Sequence, residues 1–186
     1  MRKNNNIDIK FPVVLLLFFC LSVTGCVISG RVSTATYATP PQNSTFAIIT
    51  NTMLTISEQK VQRHIIDKLS SLGFKQTHDT ENVDYIVVYS YNIGSGQTYV
   101  SSSPDFVFGG QQVSSHTEYP RYFQIGIVDR KASIQSKKLF YAFQGEVYSS
   151  GRSSNIAYLA KYFIDQIFAN YGLNVDDKHF VVLQGQ

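Results

Sequence analysis

The 186 residues contain no tryptophan, only two cysteines and only two methionines, and Asp, Glu, Lys and Arg together supply just 16% of the chain. Sparse charge of mixed sign excludes an electrostatic nucleic-acid binder. The basic pairs Arg130-Lys131 and Lys137-Lys138 are short and read as solvated hairpin ends. No Gly-x-Ser-x-Gly elbow occurs, and Gly94-Ser95-Gly96 lacks the Lys-Ser/Thr ending of a phosphate loop, so it reads as a flexible turn. The apolar run from Phe11 to Val23 falls short of the roughly 20 residues that span a bilayer, and Pro12 shortens any regular helix there. No internal repeat is visible. Tyr and Phe are plentiful instead, at 12 and 13 residues. That balance fits β-structure in which rings are buried and phenol hydroxyls stay wet.

Arg2, Lys3 and Lys10 precede the apolar run, and Val23-Thr24-Gly25-Cys26 follows it. A basic start, a short apolar core and small residues before a cleavage point form a secretory signal. The cysteine after the small residues makes this stretch resemble a lipobox, the processing site of bacterial lipoproteins. The resemblance implies cleavage between Gly25 and Cys26, with diacylglycerol on the Cys26 sulfur and an N-acyl chain on its amine. Residues 1–25 are then the signal peptide, 26–44 a lipidated start and flexible tether, and 45–186 one α+β domain. Cys20 leaves with the signal, so the mature domain has no free thiol and no disulfide, and its stability must come from its core. Removing Arg2, Lys3 and Lys10 together with Asp8 takes the formal charge from +3 to +1.

Residues 27–44, with Ser, Thr, Gly, Pro40 and Pro41 and little periodicity, read as the tether. Phe46–Thr50 suits a short buried strand. Thr55 and Glu58 have capping-box spacing, and Val61, Ile65, Leu69 and Leu72 lie on one helical face that Gly73 closes. Lys68 and Arg63 fall on the wet side of that helix. Residues 84–91 form a strong strand with Tyr85, Val87, Tyr89 and Tyr91 on one face and Ile86 and Val88 on the other. The Gly/Ser-rich excursion 93–117 is either a ragged hairpin turning at Gly109-Gly110 or a mobile loop. Strands at 122–128 and 139–148 flank a polar turn over 129–136. A second helix is capped by Ser153 or Ser154 and buries Ile156, Leu159, Ala160, Phe163, Ile167 and Phe168. Residues 179–183 form a last strand. The order β-α-β, excursion, β-β-α-β predicts a mixed, mainly antiparallel sheet with two helices on one face.

Several of these segments together resemble a group of bacterial lipoproteins known only as a domain of unknown function. They are Ser44-Thr45-Phe46-Ala47, the helix end Leu72-Gly73-Phe74, Asn82-Val83-Asp84-Tyr85 running on to Tyr89, Val128-Asp129, and Lys138-Leu139-Phe140-Tyr141 with Gly145. The likeness covers most of residues 44–172. Val83 stands where that group usually has Ala, and Tyr141 near its usual Trp. The resemblance implies an α+β envelope lipoprotein and no particular reaction.

Residues able to carry chemistry are scattered. His64 sits between core positions of the first helix, and His78 and Asp79 suit turn chemistry. His116 and Glu118 would share a strand face, but two groups are too few for a zinc site. Asp176, Asp177 and His179 form a loose cluster without spacing signature. No catalytic residue, metal site or cofactor beyond the lipid is expected. The aromatic residues Tyr85, Tyr89, Tyr91, Tyr99, Phe106 and Phe108, with Tyr119, Tyr122 and Tyr141 nearby, are the candidate partner surface, since aromatics are enriched where partners dock. The expectation is a non-catalytic binding or scaffold module, held to the envelope by its lipid and contacting another envelope protein or the cell wall. Its rival is a carrier or sensor of a small apolar or lipidic ligand held between helices and sheet. Val27 after the lipidated cysteine is not the Asp linked to inner-membrane retention. In a Gram-negative cell that favours the periplasmic face of the outer membrane.

Overall fold

Burial along one face of one sheet strand, Tyr85–Ile93, sets the layout, because its neighbours must supply a helix layer on that side and a partner ladder at each edge. A computed structural model describes residues 27–49, 53–105 and 110–183. The strands are β1 (Val27–Thr36), β2 (Thr45–Ile48), β3 (Lys75–Gln76), β4 (Tyr85–Ile93), β5 (Gln97–Asp105), β6 (Gly110–Asp129), β7 (Tyr141–Gly151) and β8 (Val175–Leu183). The helices are α1 (Ile56–Ser71), α2 (Arg130–Ser136) and α3 (Ile156–Phe168). The sheet order is β3-β2-β4-β6-β7-β1-β8, with β5 paired to β6. β2 runs parallel to β3 and β4, and the other pairs are antiparallel. This is the mixed, mainly antiparallel α+β sheet expected, with helices packed on it.

The core lies between the sheet and the pair α1 and α3. Phe46, Phe123, Phe143 and Phe163 are fully buried there, beside Ile65, Leu69, Ile125, Ile127, Leu159 and Ile167. Each such side chain contributes on the order of 1.5–3 kcal/mol of burial, opposed by the entropy of ordering the chain. Thr55 caps α1 through the reciprocal pair with Glu58, and Gly73 (φ 91°) ends it in the left-handed region. Gly145 lies directly beneath Ile167, where a Cβ would collide with that side chain, so α3 sits close to β7. Lys68 on α1 meets Asp165 on α3 at 2.9 Å, a surface pair contributing about 0–1 kcal/mol.

The segment expected as a tether is different. Residues 27–36 form β1, paired with β7 on one side and β8 on the other. Ile28, Val32 and Thr34 point inward and are buried, alternating with residues that face water. Gly30 lets the Phe180 ring pass, since a Cβ there would lie 2.9 Å from it. The folded unit therefore extends back to Val27, and only the link at 37–44 remains outside regular structure. Within the expected polar turn over 129–136, residues 130–136 are a helix. The Asp129 carboxylate accepts the Ala132 amide at 2.8 Å and starts α2. Asn155 caps α3 in place of Ser153 or Ser154, and its Oδ1 accepts the Tyr158 amide. The excursion resolves as a hairpin: β5 and β6 pair from Gln97–Glu118 to Asp105–Gly110. Gly25, Cys26, Phe106 and Phe108, and the turn position Gly109, lie outside the described residues.

One polar clamp joins the two parallel strands. The Asp84 carboxylate accepts both the Thr45 amide and its hydroxyl at 2.7 Å, while the Thr45 hydroxyl accepts the Asp84 amide at 3.0 Å. These bonds hold the Asp84 carboxyl below its ordinary range, chiefly through the Thr45 amide. A depressed folded pKa stabilises the fold above the unfolded value, and that contribution disappears as pH falls through the folded value. Asp84→Asn is therefore expected to lower the thermal midpoint at about pH 7, and the gap to the native chain is expected to narrow at about pH 2–3 as the pH falls toward the folded value of Asp84. An equal gap at both pH values, measured by circular dichroism melts, would contradict this role.

Candidate functional site

Helices α1 and α3 cover one face of the sheet and leave the other open. On β4 the inward row is Tyr85 and Val87, continuing to the partly buried Tyr89 and Tyr91, whereas Ile86 and Val88 point to the open face. α2 lies at one end of that open face. Ile134 of α2, Leu139 of the following loop and Ile49 after β2 close around Ile86, Val88 and Val128 to form a groove of about 520 Å³. Its rim carries Arg130, Lys137 and Lys138, and no carboxylate among the described residues lines it. Leu139 stands 70% exposed and Ile134 59% exposed, so the apolar surface is open to a ligand. An apolar floor under three cations suits an anionic, amphiphilic group.

Local chemistry fixes the groove walls. Asp129 both caps α2 and donates its backbone amide to the Phe140 carbonyl at 2.8 Å. The Ser133 hydroxyl donates to the Asp129 carbonyl at 2.6 Å and accepts the Phe140 amide at 2.9 Å, tying α2 to the strand that follows. Lys137 turns the chain with a left-handed backbone (φ 54°). The Tyr141 ring then lies over Gly126, where a Cβ would come within 2.7 Å of it.

A second groove, about 420 Å³, crosses the middle of the open face between Gln124, Gln144 and Glu146 and the Ser33–Ala35 and Asn174–Asp176 segments. Most of its lining residues are polar in type, and it carries the carboxylates Glu146 and Asp176. The Tyr122 hydroxyl donates to Gln124 at 2.9 Å and approaches Glu146 at 3.2 Å. Burial, reinforced by the Glu146 charge, raises the Tyr122 pKa well above the ordinary phenol value.

The aromatic surface expected from the sequence is divided. Tyr85 is 8% exposed and packs edge-on to Phe74, so it belongs to the core. Tyr89 and Tyr91 lean on the same core and are half-buried. Burial pushes all three phenols upward, with negative charge from Asp129 and Asp84 or from Glu58 adding to it. The reason is the strand period: these residues share the face of Val87, which the helices cover. Tyr99 alone of the described set is well exposed, stacked on His116 with ring centroids 5.4 Å apart.

His116 meets Glu118 at 3.5 Å. His64 lies in a shallow cleft with Asp67, Lys68, Lys161 and Asp165. His78 stays in its loop, where Asp79 accepts the Glu81 and Asn82 amides. Asp177 pairs with Arg31 at 3.0 Å, and Arg31 stands directly opposite His179 in the β1–β8 ladder. Among the described residues no three His, Cys, Asp or Glu side chains gather as a metal site would need. The groove at α2 was not singled out in the sequence. Its signal was present in Arg130, Lys137, Lys138 and the exposed Ile134 and Leu139, scattered around what read as a solvated turn.

No family model matches the chain, and no curated protein matches it. Among solved structures, a PDZ domain protein from Parabacteroides distasonis superposes on 90% of the chain with a TM-score of 0.53 at 13% identity. The chain spans 41% of that protein, and the likeness is one of fold. A DUF4136 family protein from Bacteroides thetaiotaomicron gives 0.45 at 14% identity over 75% of this chain and 94% of that one. A PelC dodecamer from Paraburkholderia phytofirmans gives 0.44 at 10% identity, over 75% and 95%. At those two scores neither likeness bears on fold or function.

The Gly126–Tyr141 contact makes the groove wall testable. Gly126→Ala is expected to cost about 1–3 kcal/mol in urea unfolding by overpacking against the ring. In a Tyr141→Ala background the cost should fall by at least about 1 kcal/mol. Strict additivity of the two changes would show that the ring does not rest on Gly126.

Proposed function

We propose that this chain is a lipid-anchored envelope lipoprotein that acts by binding and not by catalysis, and that the groove beside α2 is where it holds its partner. Cys26 carries the anchor in this reading, supported by the Val23-Thr24-Gly25-Cys26 stretch after a basic and apolar leader. Several acyl chains on one residue give stable retention where a single chain would not. The outer membrane's periplasmic face is the proposed site in a Gram-negative cell.

The observation that carries the binding role is the open groove, with Leu139 and Ile134 exposed beside Arg130, Lys137 and Lys138. Its width and exposure suit an acidic, amphipathic segment of another envelope protein, apolar residues against Ile86 and Val88 and carboxylates against the rim. The cations would speed encounter and set orientation, and the apolar floor would supply most of the affinity. A volume of about 520 Å³ also accommodates a small lipidic anion, which is the second reading.

The test is photocrosslinking in intact cells with a photoreactive residue in place of Leu139. The expected result is a discrete protein adduct whose yield falls about tenfold when Lys137→Glu and Lys138→Glu are combined. An adduct heavier by only a lipid's mass would favour the second reading. Absence of any adduct, or one indifferent to the charge reversal, would contradict the groove as the binding site.

A further inference from the structure

We infer that the β5–β6 hairpin is a membrane-contacting element that lies against the leaflet holding the acyl chains of Cys26. The inference rests on the lipid anchor proposed above, and its premise is the register of the sheet. Gly30 of β1 pairs with Ser149 of β7, Ser149 pairs with Arg121 of β6, and Arg121 pairs with Ile93 of β4. These residues form one row across the sheet. Three residues earlier on β1 is Val27, and three residues earlier on β6 is Glu118. Val27 and Glu118 are therefore level. Only β7 separates their strands, which sets them about 10 Å apart.

Glu118 is where β6 leaves the main sheet. From there to Gly110 it pairs only with β5, in nine successive residue pairs. At about 3.3 Å per residue the hairpin projects about 30 Å past the row of Val27. It projects at the end from which the chain leaves toward Cys26, which is bonded directly to Val27. With β1 held in the sheet from its first residue, nothing in the sequence supplies a spacer. A sulfur anchored in a leaflet at that row puts the hairpin on the lipid side of the domain. Whether the domain stands or leans, the hairpin then meets headgroups or the acyl boundary.

The surface chemistry of that end agrees. Val27, Val181 and Leu183 share the open face of β1 and β8 and are 56%, 68% and 48% exposed. On the hairpin, Val100 and Val113 share one face and are both exposed. Two hydroxyl pairs satisfy each other across the strands and Tyr99 bonds within its own strand, which reduces the cost of leaving water. Ser101 and Ser114 are 2.7 Å apart, Thr98 and Thr117 3.0 Å, and Tyr99 donates to Gln97 at 3.0 Å. No Lys or Arg occurs between Gln97 and Glu118, whereas Lys75, Arg130, Lys131, Lys137 and Lys138 sit toward the opposite end of the sheet. The hairpin's own contact therefore comes from apolar and interfacial groups, and the nearest cation at that end is Arg152, exposed just after the Gly151–Tyr119 pair. The same orientation points the α2 groove away from the membrane, where a partner can reach it.

Because the mature chain has no cysteine besides Cys26, a new cysteine is the sole free thiol once Cys26 is acylated. The experiment uses the full, processed protein in phosphatidylethanolamine/phosphatidylglycerol vesicles. An environment-sensitive fluorophore is placed on Val100→Cys, on Val113→Cys or, as the distal control, on Lys75→Cys, and spin-labelled lipid is the quencher. The mass of the mature N-terminus is measured on the same samples. The expected result is a lipid-bearing Cys26 with hairpin probes quenched roughly threefold or more above the Lys75 probe. A lipid-bearing protein whose hairpin probes are quenched no more than the control would overturn the inference while leaving the anchor intact. Unquenched probes with efficient disulfide crosslinking between two copies at Val113→Cys would overturn it in favour of hairpin pairing. An unmodified Cys26 would overturn the anchor and the inference together.

Discussion

The insertion of β1 between β7 and β8 is the constraint on which the rest of the molecule depends. Without β1, β8 would have no place in the sheet, and the ladder would stop at β7 with a long unpaired edge, a poor state for a soluble surface. β1 also brings Ile28, Val32 and Thr34 to the side that α3 covers, so it completes the core as well as the ladder. In the proposed reading, its position removes the slack that a flexible tether would give between Cys26 and the domain.

Two consequences run in opposite directions along the sheet. At the Val27 end lie exposed valines and leucine and a projecting hairpin without Lys or Arg. At the far end lie α2, the apolar groove and its three cations. In the proposed reading these ends are an anchor and a binding groove, an arrangement suited to a module that reaches from a leaflet toward a partner, and register alone separates the two ends. The grooved face is free because α1 and α3 both pack on the other side, as antiparallel sheets permit.

Much of the fold was legible because its signals are local and strongly periodic. Thr55 with Glu58, the run Val61, Ile65 and Leu69, and Gly73 behaved as their chemistry dictates, and so did the alternation of residues 85–91. The Thr45–Asp84 clamp gives a physical reason for the Thr-Phe and Val-Asp pairs noticed in the sequence. β1 was missed because its outward positions are Ser, Arg and Ala and its inward ones include Gly30 and Thr34. Small residues hide a period of two from any reading based on apolar size. Gly30 is needed so that Phe180 can cross, a demand made by a strand about 150 residues later and invisible locally. The groove was missed for a related reason. Its floor and rim come from three separate segments that only the tertiary fold assembles, while the aromatic residues that drew attention, Tyr85 above all, were drawn inward by the strand period.

The most direct measurement of this account is amide hydrogen exchange over residues 28–36 in the full-length protein. β1 as a central strand predicts protection for Ile28, Gly30 and Val32 comparable to that of Phe143 and Val147 in β7. Exchange of those amides at the rate of an unstructured chain, with β7 still protected, would restore a flexible tether and contradict it.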